Sequence, residues 1–391
     1  MNSADIINKE KQYLMDTYTR YPVVIVRGRG ATVYDCEGKE YIDFSSGVGV
    51  NSLGYGNYKW ARAVSEQAKK LAHISNLFYN PVMVELAEIL VNITGMSKVF
   101  FANSGAEANE GAIKLARKYS FDKYGKGRSN IITLENSFHG RTITTLAATG
   151  QEQFHNFFFP FTEGFKFAKA NDIGSVINAA DKSVCAIMIE MIQGEGGVLP
   201  LDKDFVLDAS KLAKEKDILL IVDEVQTGVG RTGTFLACQQ YGIKPDIVTL
   251  AKGLGGGLPI GAVLCSEPLS SVLGKGTHAS TFGANPVCCA GAIEVLKQIG
   301  KKDFLDEVTK KGEYIRNKLS ELPQVTEIRG KGLLLGVDLK GFNSKEITKK
   351  MVENGLLIIT AKSAVRIMPP LVISYEEIDK GLEIFKNTIN S

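Results

Sequence analysis

An acid and an amine, Asp223 and Lys252, each stand at the end of a short apolar run. Ile218-Leu219-Leu220-Ile221-Val222 shows no polar alternation, the pattern of a parallel strand covered on both faces, and it stops at Asp223-Glu224. Ile247-Val248-Thr249-Leu250-Ala251 stops at Lys252, and Gly253-Leu254-Gly255-Gly256-Gly257 follows, where backbone can approach a ligand closely. Ligands of open α/β sheets bind beyond the carboxyl ends of the strands, so both side chains are expected to face one crevice. A lysine that loses its proton easily, through desolvation or nearby positive charge, can form a Schiff base with a carbonyl. A buried carboxylate can hold a proton on a pyridine nitrogen and so keep the ring an electron sink. The pair points to pyridoxal phosphate, with Lys252 as nucleophile and Asp223 opposite the ring nitrogen. Either residue alone reads as readily as a loop cap or a solvated side chain.

A phosphate needs a cradle, and one is offered upstream. Val99-Phe100-Phe101 reads as a strand, and Asn103-Ser104-Gly105-Ala106 leads into the helix-forming run that starts at Glu107. Ser104, Gly105 and Ala106 then sit at a helix N-terminus, where free N–H groups and the helix dipole favour an anion. Ser104 with Glu107 also has the spacing of a plain capping box, and both readings can hold together.

Five segments occur in order: Asn103-Ser104-Gly105-Ala106-Glu107-Ala108-Asn109, Phe138-His139-Gly140-Arg141, Val222-Asp223-Glu224-Val225-Gln226-Thr227-Gly228, Ala251-Lys252-Gly253 and Thr281-Phe282-Gly283-Ala284-Asn285-Pro286. With them the chain resembles the class III, ornithine-type aminotransferases from about Tyr21 to about Pro370. The resemblance implies the type I fold of pyridoxal-phosphate-dependent transferases, an α/β large domain with a mostly parallel sheet plus a small α+β domain from both termini. It implies that Lys252 holds the cofactor and moves the substrate proton, while Asp223 pairs with the ring nitrogen. Gln226 would bond the phenolic oxygen and Phe138 would stack on the ring, with Glu224 and Val225 of the same turn counted among the cofactor-binding residues. Ser104, Gly105 and Ala106 would bind the phosphate, and Thr281 would reach the phosphate of a neighbouring subunit, with Ser280 facing substrate. A homodimer with shared sites follows from that.

Substrate choice would rest on arginines, whose planar fork suits carboxylates. By the resemblance, Arg141 binds the distal carboxylate of either substrate, and Arg366 the α-carboxylate of glutamate. Glu195, in Gln193-Gly194-Glu195-Gly196-Gly197, would mask Arg366 while the first substrate is bound. Ser75-Asn76-Leu77-Phe78-Tyr79 and Gly49-Val50-Asn51 resemble segments of members that act on N-acetylornithine, with 2-oxoglutarate and glutamate as the other pair. Ornithine, succinylornithine, 4-aminobutyrate and succinyldiaminopimelate stay open, because an acyl group or methylene is discriminated by only about 1–3 kcal/mol. So do an aminomutase or racemase of this fold, which Glu195 and Arg366 argue against, and a binding protein, which would usually have lost Lys252 or Asp223. The sequence departs from the family at Tyr55-Gly56-Asn57-Tyr58-Lys59, where a His-rich segment is usual, at Ala106, where Thr is common, and in Glu190-Met191-Ile192, which lacks the common proline.

A chain of 391 residues at 44% hydrophobic content can bury a large core, and two domains of one subunit are expected. We expect residues 1–57 and 301–391 to form the small domain and 58–300 the cofactor domain. Short strands at Thr32-Val33-Tyr34 and Tyr41-Ile42-Asp43-Phe44, with turns at Gly28-Arg29-Gly30 and Glu37-Gly38, belong to the first part. Asn130-Ile131-Ile132-Thr133-Leu134 and Ala186-Ile187-Met188-Ile189 read as strands of the large sheet. A net charge of +3 implies no nucleic-acid partner. No run reaches the length of a membrane span and no targeting segment is evident, so a cytoplasmic protein is expected. Six cysteines without C-x-x-C spacing suit free thiols in a reducing compartment, and four scattered histidines offer no metal site.

Overall fold

The computed structural model describes residues 2–391. A helix, Ser3–Tyr13, precedes three antiparallel strands, β1 (Ile25–Arg29), β2 (Thr32–Asp35) and β3 (Glu40–Asp43). The β2–β3 turn uses Gly38 at φ +89°, as its sequence suggests. Gly28 and Arg29, expected in a turn, lie instead within β1, and only Gly30 has positive φ. Gly28 is small for a different reason: a Cβ there would stand 2.8 Å from Tyr55 and Val33 side-chain atoms.

Helices Tyr58–Lys70 and Pro81–Thr94 lead into the large sheet. Its strands are β4 (Lys98–Ala102), β5 (Asn130–Leu134), β6 (Phe165–Ala168), β7 (Val184–Ile189), and, after a small hairpin of β8 (Ile192–Gln193) and β9 (Leu199–Pro200), β10 (Leu219–Asp223), β11 (Ile247–Leu250) and β12 (Gly261–Cys265). They stand in the order β4-β12-β11-β10-β7-β5-β6. Every residue of β7, β10, β11 and β12 is buried, which is why those runs are apolar without alternation. Pairing is parallel from β11 through β10, β7 and β5 to β6. Only β12 runs against its neighbours. The link 251–260 is too short for the helical crossover that a parallel neighbour of β11 would need.

Past helices Pro286–Ile299 and Lys302–Ser320, the chain forms β13 (Val325–Lys331), β14 (Leu334–Leu339), β15 (Leu356–Leu357), β16 (Ile359–Ala361) and β17 (Ala364–Ile367). β13-β14-β17-β16 make one sheet, while β15 pairs parallel with β3 and so brings both ends of the chain into one four-stranded sheet. The last helix, Tyr375–Asn390, reinforces this joint through Glu377. Its Oε1 accepts from Ala31 N at 2.7 Å and Thr32 Oγ1 at 3.0 Å, while its Oε2 accepts from Ser374 N at the helix start.

Candidate active site

The carboxyl ends of five large-sheet strands open onto one cavity of about 440 Å³. β4 delivers Ser104 and Gly105, β5 the loop Phe138–Arg141, β7 Glu190, β10 Asp223 and β11 Lys252. This placement agrees with the rule that parallel sheets bind ligands at that edge.

Asp223 is 4% exposed and held from several directions. Its Oδ2 accepts from Asn109 Nδ2 at 2.7 Å and His139 Nδ1 at 2.9 Å, and its Oδ1 accepts from Val225 N at 3.0 Å. Asn109 Nδ2 also donates to His139 O at 2.7 Å, and its Oδ1 accepts from Thr249 Oγ1 at 2.8 Å. Several donors converge on one buried carboxylate and leave it little freedom to rotate. The acid is thus fixed at the cavity wall.

Lys252 takes φ +40°, an uncommon conformation for a residue with a Cβ. Gly253 beside it packs tightly: a Cβ there would lie 2.5 Å from Ser52 Oγ, which donates to Gly253 O at 3.1 Å. Trp60 Nε1 donates to Gly255 O, so the helix Tyr58–Lys70 pins the same turn. Desolvation in the cavity pushes the Lys252 ammonium below its ordinary range; Arg366 helps, while Glu195, Asp223 and Glu190 oppose. The amine therefore sheds its proton more readily than a surface lysine.

Ser104 is the N-cap of the helix Gly105–Tyr124 and accepts from Glu107 N at 3.2 Å; Glu107 in turn accepts from Asn103 N at 2.7 Å. The cap and the anion-binding terminus coexist, because Ser104, Gly105 and Ala106 also line the cavity. Gly105 permits the close approach of Val225, whose Cγ1 would be 2.7 Å from an added Cβ.

Two arginines flank the cleft differently. Arg366, on β17 and 3% exposed, meets Glu195 with Nη1–Oε1 at 2.6 Å and Nη2–Oε2 at 3.3 Å. Burial works to raise the Glu195 carboxyl, but the Arg366 guanidinium, with Lys252 and Gln226, more than offsets it and holds it below the usual range. Gln226 joins the pair, accepting from Arg366 at 3.1 Å and donating to Glu195 at 3.3 Å. Gly194 makes room for it, since a Cβ there would fall 2.0 Å from Gln226 Oε1. Arg141 is exposed, with its guanidinium 4.2 Å from the centre of the Phe154 ring rather than on a carboxylate. One guanidinium is masked and the other is free for an anion.

Of the residues expected at the site, Ser104, Gly105, Ala106, Phe138, Arg141, Asp223, Val225, Gln226 and Lys252 line the cavity, and Glu195 and Arg366 pair beside it through Gln226. The Glu224 side chain does not line the cavity, because consecutive residues leaving a strand point to opposite faces. Its carboxylate accepts from Thr227 Oγ1 at 2.6 Å, Ala237 N at 3.0 Å and Cys238 N at 2.8 Å, inside the core. Ser280 and Thr281 lie in a separate surface depression with Glu107 and His278, not in this chain's own cavity. Sequence pattern assigns no role to Asn109, Thr249 or Glu190. Asn109 could have been noticed as a polar residue on the stripe Ala108, Ala112, Ile113, Ala116 that the helix buries.

The residues present suit pyridoxal phosphate: a hydrogen-bonded carboxyl group at depth, a lysine with weakened proton affinity, helix N–H groups for a phosphate and apolar walls from Phe138 and Val225. A sequence model of the family described as Aminotransferase class-III matches residues 13–389. The acetylornithine aminotransferase of Haemophilus ducreyi is 50% identical, with 100% of both chains covered. That of Aquifex aeolicus is 49% identical over 96% of this chain and 100% of its own. Among solved structures, the ornithine aminotransferase of Toxoplasma gondii matches with a TM-score of 0.95 at 35% identity, covering 100% of this chain and 95% of the other. The N-acetylornithine aminotransferase of Stenotrophomonas maltophilia matches at 0.85 and 35%, covering 98% of each.

Proposed function

The chain belongs to the class III aminotransferases, with their type I fold and pyridoxal phosphate as cofactor; on that premise we propose N2-acetyl-L-ornithine as its amino donor and 2-oxoglutarate as its acceptor. The products are N-acetyl-L-glutamate 5-semialdehyde and L-glutamate, a step of arginine biosynthesis. The observation that carries the reading is the pair of arginines, Arg141 open and Arg366 masked by Glu195. Two carboxylate sites, one of them gated, let a single cleft accept a donor with one carboxylate and a partner with two. The names of the relatives supply the acetyl group. Ornithine remains a second reading, because ornithine aminotransferases match the fold as closely.

When bound, pyridoxal phosphate supplies an electron sink that makes the C–H bond beside the substrate amine acidic. The rest falls to this chain. Helix N–H groups at Gly105 and Ala106, with Ser104, would anchor the phosphate, and Asp223 would pair with the ring nitrogen. Phe138 would cover one ring face, and Gln226 would bond the phenolic oxygen. Lys252 would hold the cofactor until substrate displaces it, and would then carry the proton from the amine-bearing substrate carbon to the cofactor carbon across the shared nitrogen. Arg141 sets the donor's α-carboxylate, which places the terminal amine near Lys252. With glutamate, Glu195 swings away and Arg366 takes the α-carboxylate while Arg141 takes the γ-carboxylate.

Incubation with N-acetylornithine and 2-oxoglutarate tests this by product identification; glutamate formed at a far higher kcat/KM from ornithine would overturn the donor. Arg141→Ala is expected to cost roughly 10- to 100-fold in kcat/KM with N-acetylornithine and with glutamate alike, since a charge-assisted hydrogen bond is worth about 1.5–3 kcal/mol. A loss confined to glutamate would contradict the shared carboxylate site.

A homodimer completes the reading. Thr281 is exposed, beside Phe282 at 61%, and Asn76 Nδ2 donates to Ser280 O and Gly283 O, tying this loop to Leu77-Phe78-Tyr79, which are 88%, 62% and 98% exposed. So large an apolar surface suits a second copy, and we assign Thr281 to the partner's phosphate and Ser280 to its substrate. Thr281→Asp and Lys252→Ala proteins are each expected to be inactive, and mixed dimers to recover activity in the one site that keeps both residues. Absence of recovery in verified mixed dimers argues against sharing. Six free cysteines accord with a reducing compartment, and we place the enzyme in the cytoplasm. Among the described residues, no helix is long and apolar enough to cross a membrane.

A further inference from the structure

Glu190 follows β7 directly, is 5% exposed and lines the same cavity as Asp223 and Lys252, yet the mechanism above gives it no task. Its Oε2 accepts from Phe138 N at 3.0 Å. That contact anchors the entrance to the loop that carries Phe138, for the ring face, and Arg141, for the substrate carboxylate. Farther along, the loop is held by other partners: His139 N on Thr149 Oγ1 at 3.0 Å, His139 O under Asn109, and Thr142 Oγ1 on Glu110 at 2.6 Å. Phe138 N has Glu190.

Two carboxyl groups in one buried pocket do not both ionise readily. The donors decide between them. Asp223 collects three within 3.0 Å, from Asn109, His139 and Val225, whereas Glu190 receives one, from Phe138. Hydrogen bonds therefore compensate the burial of Glu190 less than that of Asp223. Burial pushes the Glu190 carboxyl well above its ordinary range, Asp223 and Glu195 add to this, and the Phe138 N–H and Lys252 oppose it.

Resting on the cofactor-site reading, we propose that Glu190 is a positioning residue that works in its neutral, proton-bearing form, fixing the Phe138–Arg141 loop without competing with Asp223 for the cofactor's ring proton.

Glutamine reproduces a neutral carboxyl in shape, charge and acceptor oxygen, and alanine does not. Glu190→Gln is expected to bind pyridoxal phosphate within about 2-fold of wild type and to keep KM for both carboxylate substrates. Glu190→Ala is expected to weaken cofactor binding, measured by equilibrium dialysis on the refilled apoprotein, by roughly 10-fold, the worth of one hydrogen bond to a buried donor. Infrared difference spectra of the holoprotein in H2O and D2O give a readout independent of turnover: the carbonyl band of a protonated carboxyl is present in wild type and missing in Glu190→Gln. If Glu190→Gln is as damaged as Glu190→Ala, or if no protonated-carboxyl band disappears, Glu190 acts as a charge and the proposal fails. If Glu190→Ala holds cofactor and substrates as wild type does, the positioning role fails, while loss of function in Lys252→Ala would still uphold the underlying site.

Discussion

Lys252→Ala yields a folded protein without turnover, at least roughly 10⁴-fold slower, because one substitution removes both the cofactor's covalent anchor and the base that moves the substrate proton. The fold should not suffer, since the side chain enters a cavity rather than the core. Stability should even gain near neutral pH. Desolvation places the folded-state pKa of Lys252 below its ordinary 10.5, so protonation favours the unfolded chain at every pH below the folded value. The wild-type apoprotein therefore carries a penalty at neutral pH that fades as pH rises from the lowered value toward 10.5. Melting curves should show Lys252→Ala apoprotein at or above wild type near pH 7, the two converging in alkali. Undiminished turnover would remove Lys252 from its role, whatever the melting curves show.

Asp223→Asn should cost roughly 10³-fold in kcat with little loss of fold, in line with removal of one preorganised electrostatic partner in a water-excluded site. The amide keeps an acceptor oxygen for part of the network but cannot hold a positive charge on a ring nitrogen. Asp223→Ala should be less stable as well, because Asn109, His139 and Val225 each lose an acceptor, at about 1–3 kcal/mol for a buried donor left unpaired. Kinetics and melting therefore separate the charge from the scaffold. An Asn variant within 2-fold of wild-type kcat would show that Asp223 serves only the scaffold.

The central residues were legible because each is tied to a local signal. Apolar runs ending in Asp223 and Lys252, and a cap at Ser104 ahead of a helix former, fix position along the chain and edge of the sheet without long-range information. The residues that hold them were not. Asn109, Thr249 and His139 act through partners 114, 26 and 84 positions away from Asp223, and no local spacing announces such contacts. Glu224 shows the converse, a side chain whose direction adjacency does not give. Adjacency to Asp223 suggested a shared role, yet strand alternation turns its carboxylate toward Ala237 and Cys238. The antiparallel β12 was hidden for a similar reason: direction depends on the length of the preceding link, and the apolar pattern of a buried strand is the same either way. Likewise the Glu195–Arg366 contact, 171 positions apart, came from resemblance to known enzymes rather than from pattern.

The donor is the central claim, and a half-reaction titration tests it most directly. The holoprotein's visible spectrum is followed as N-acetylornithine, ornithine, 4-aminobutyrate and glutamate are added in separate cuvettes. The account predicts that N-acetylornithine and glutamate bleach the lysine-bound cofactor band at the lowest concentrations. Bleaching by ornithine or 4-aminobutyrate at lower concentration than N-acetylornithine would contradict it, leaving the fold and the lysine chemistry in place but giving the cleft a different donor.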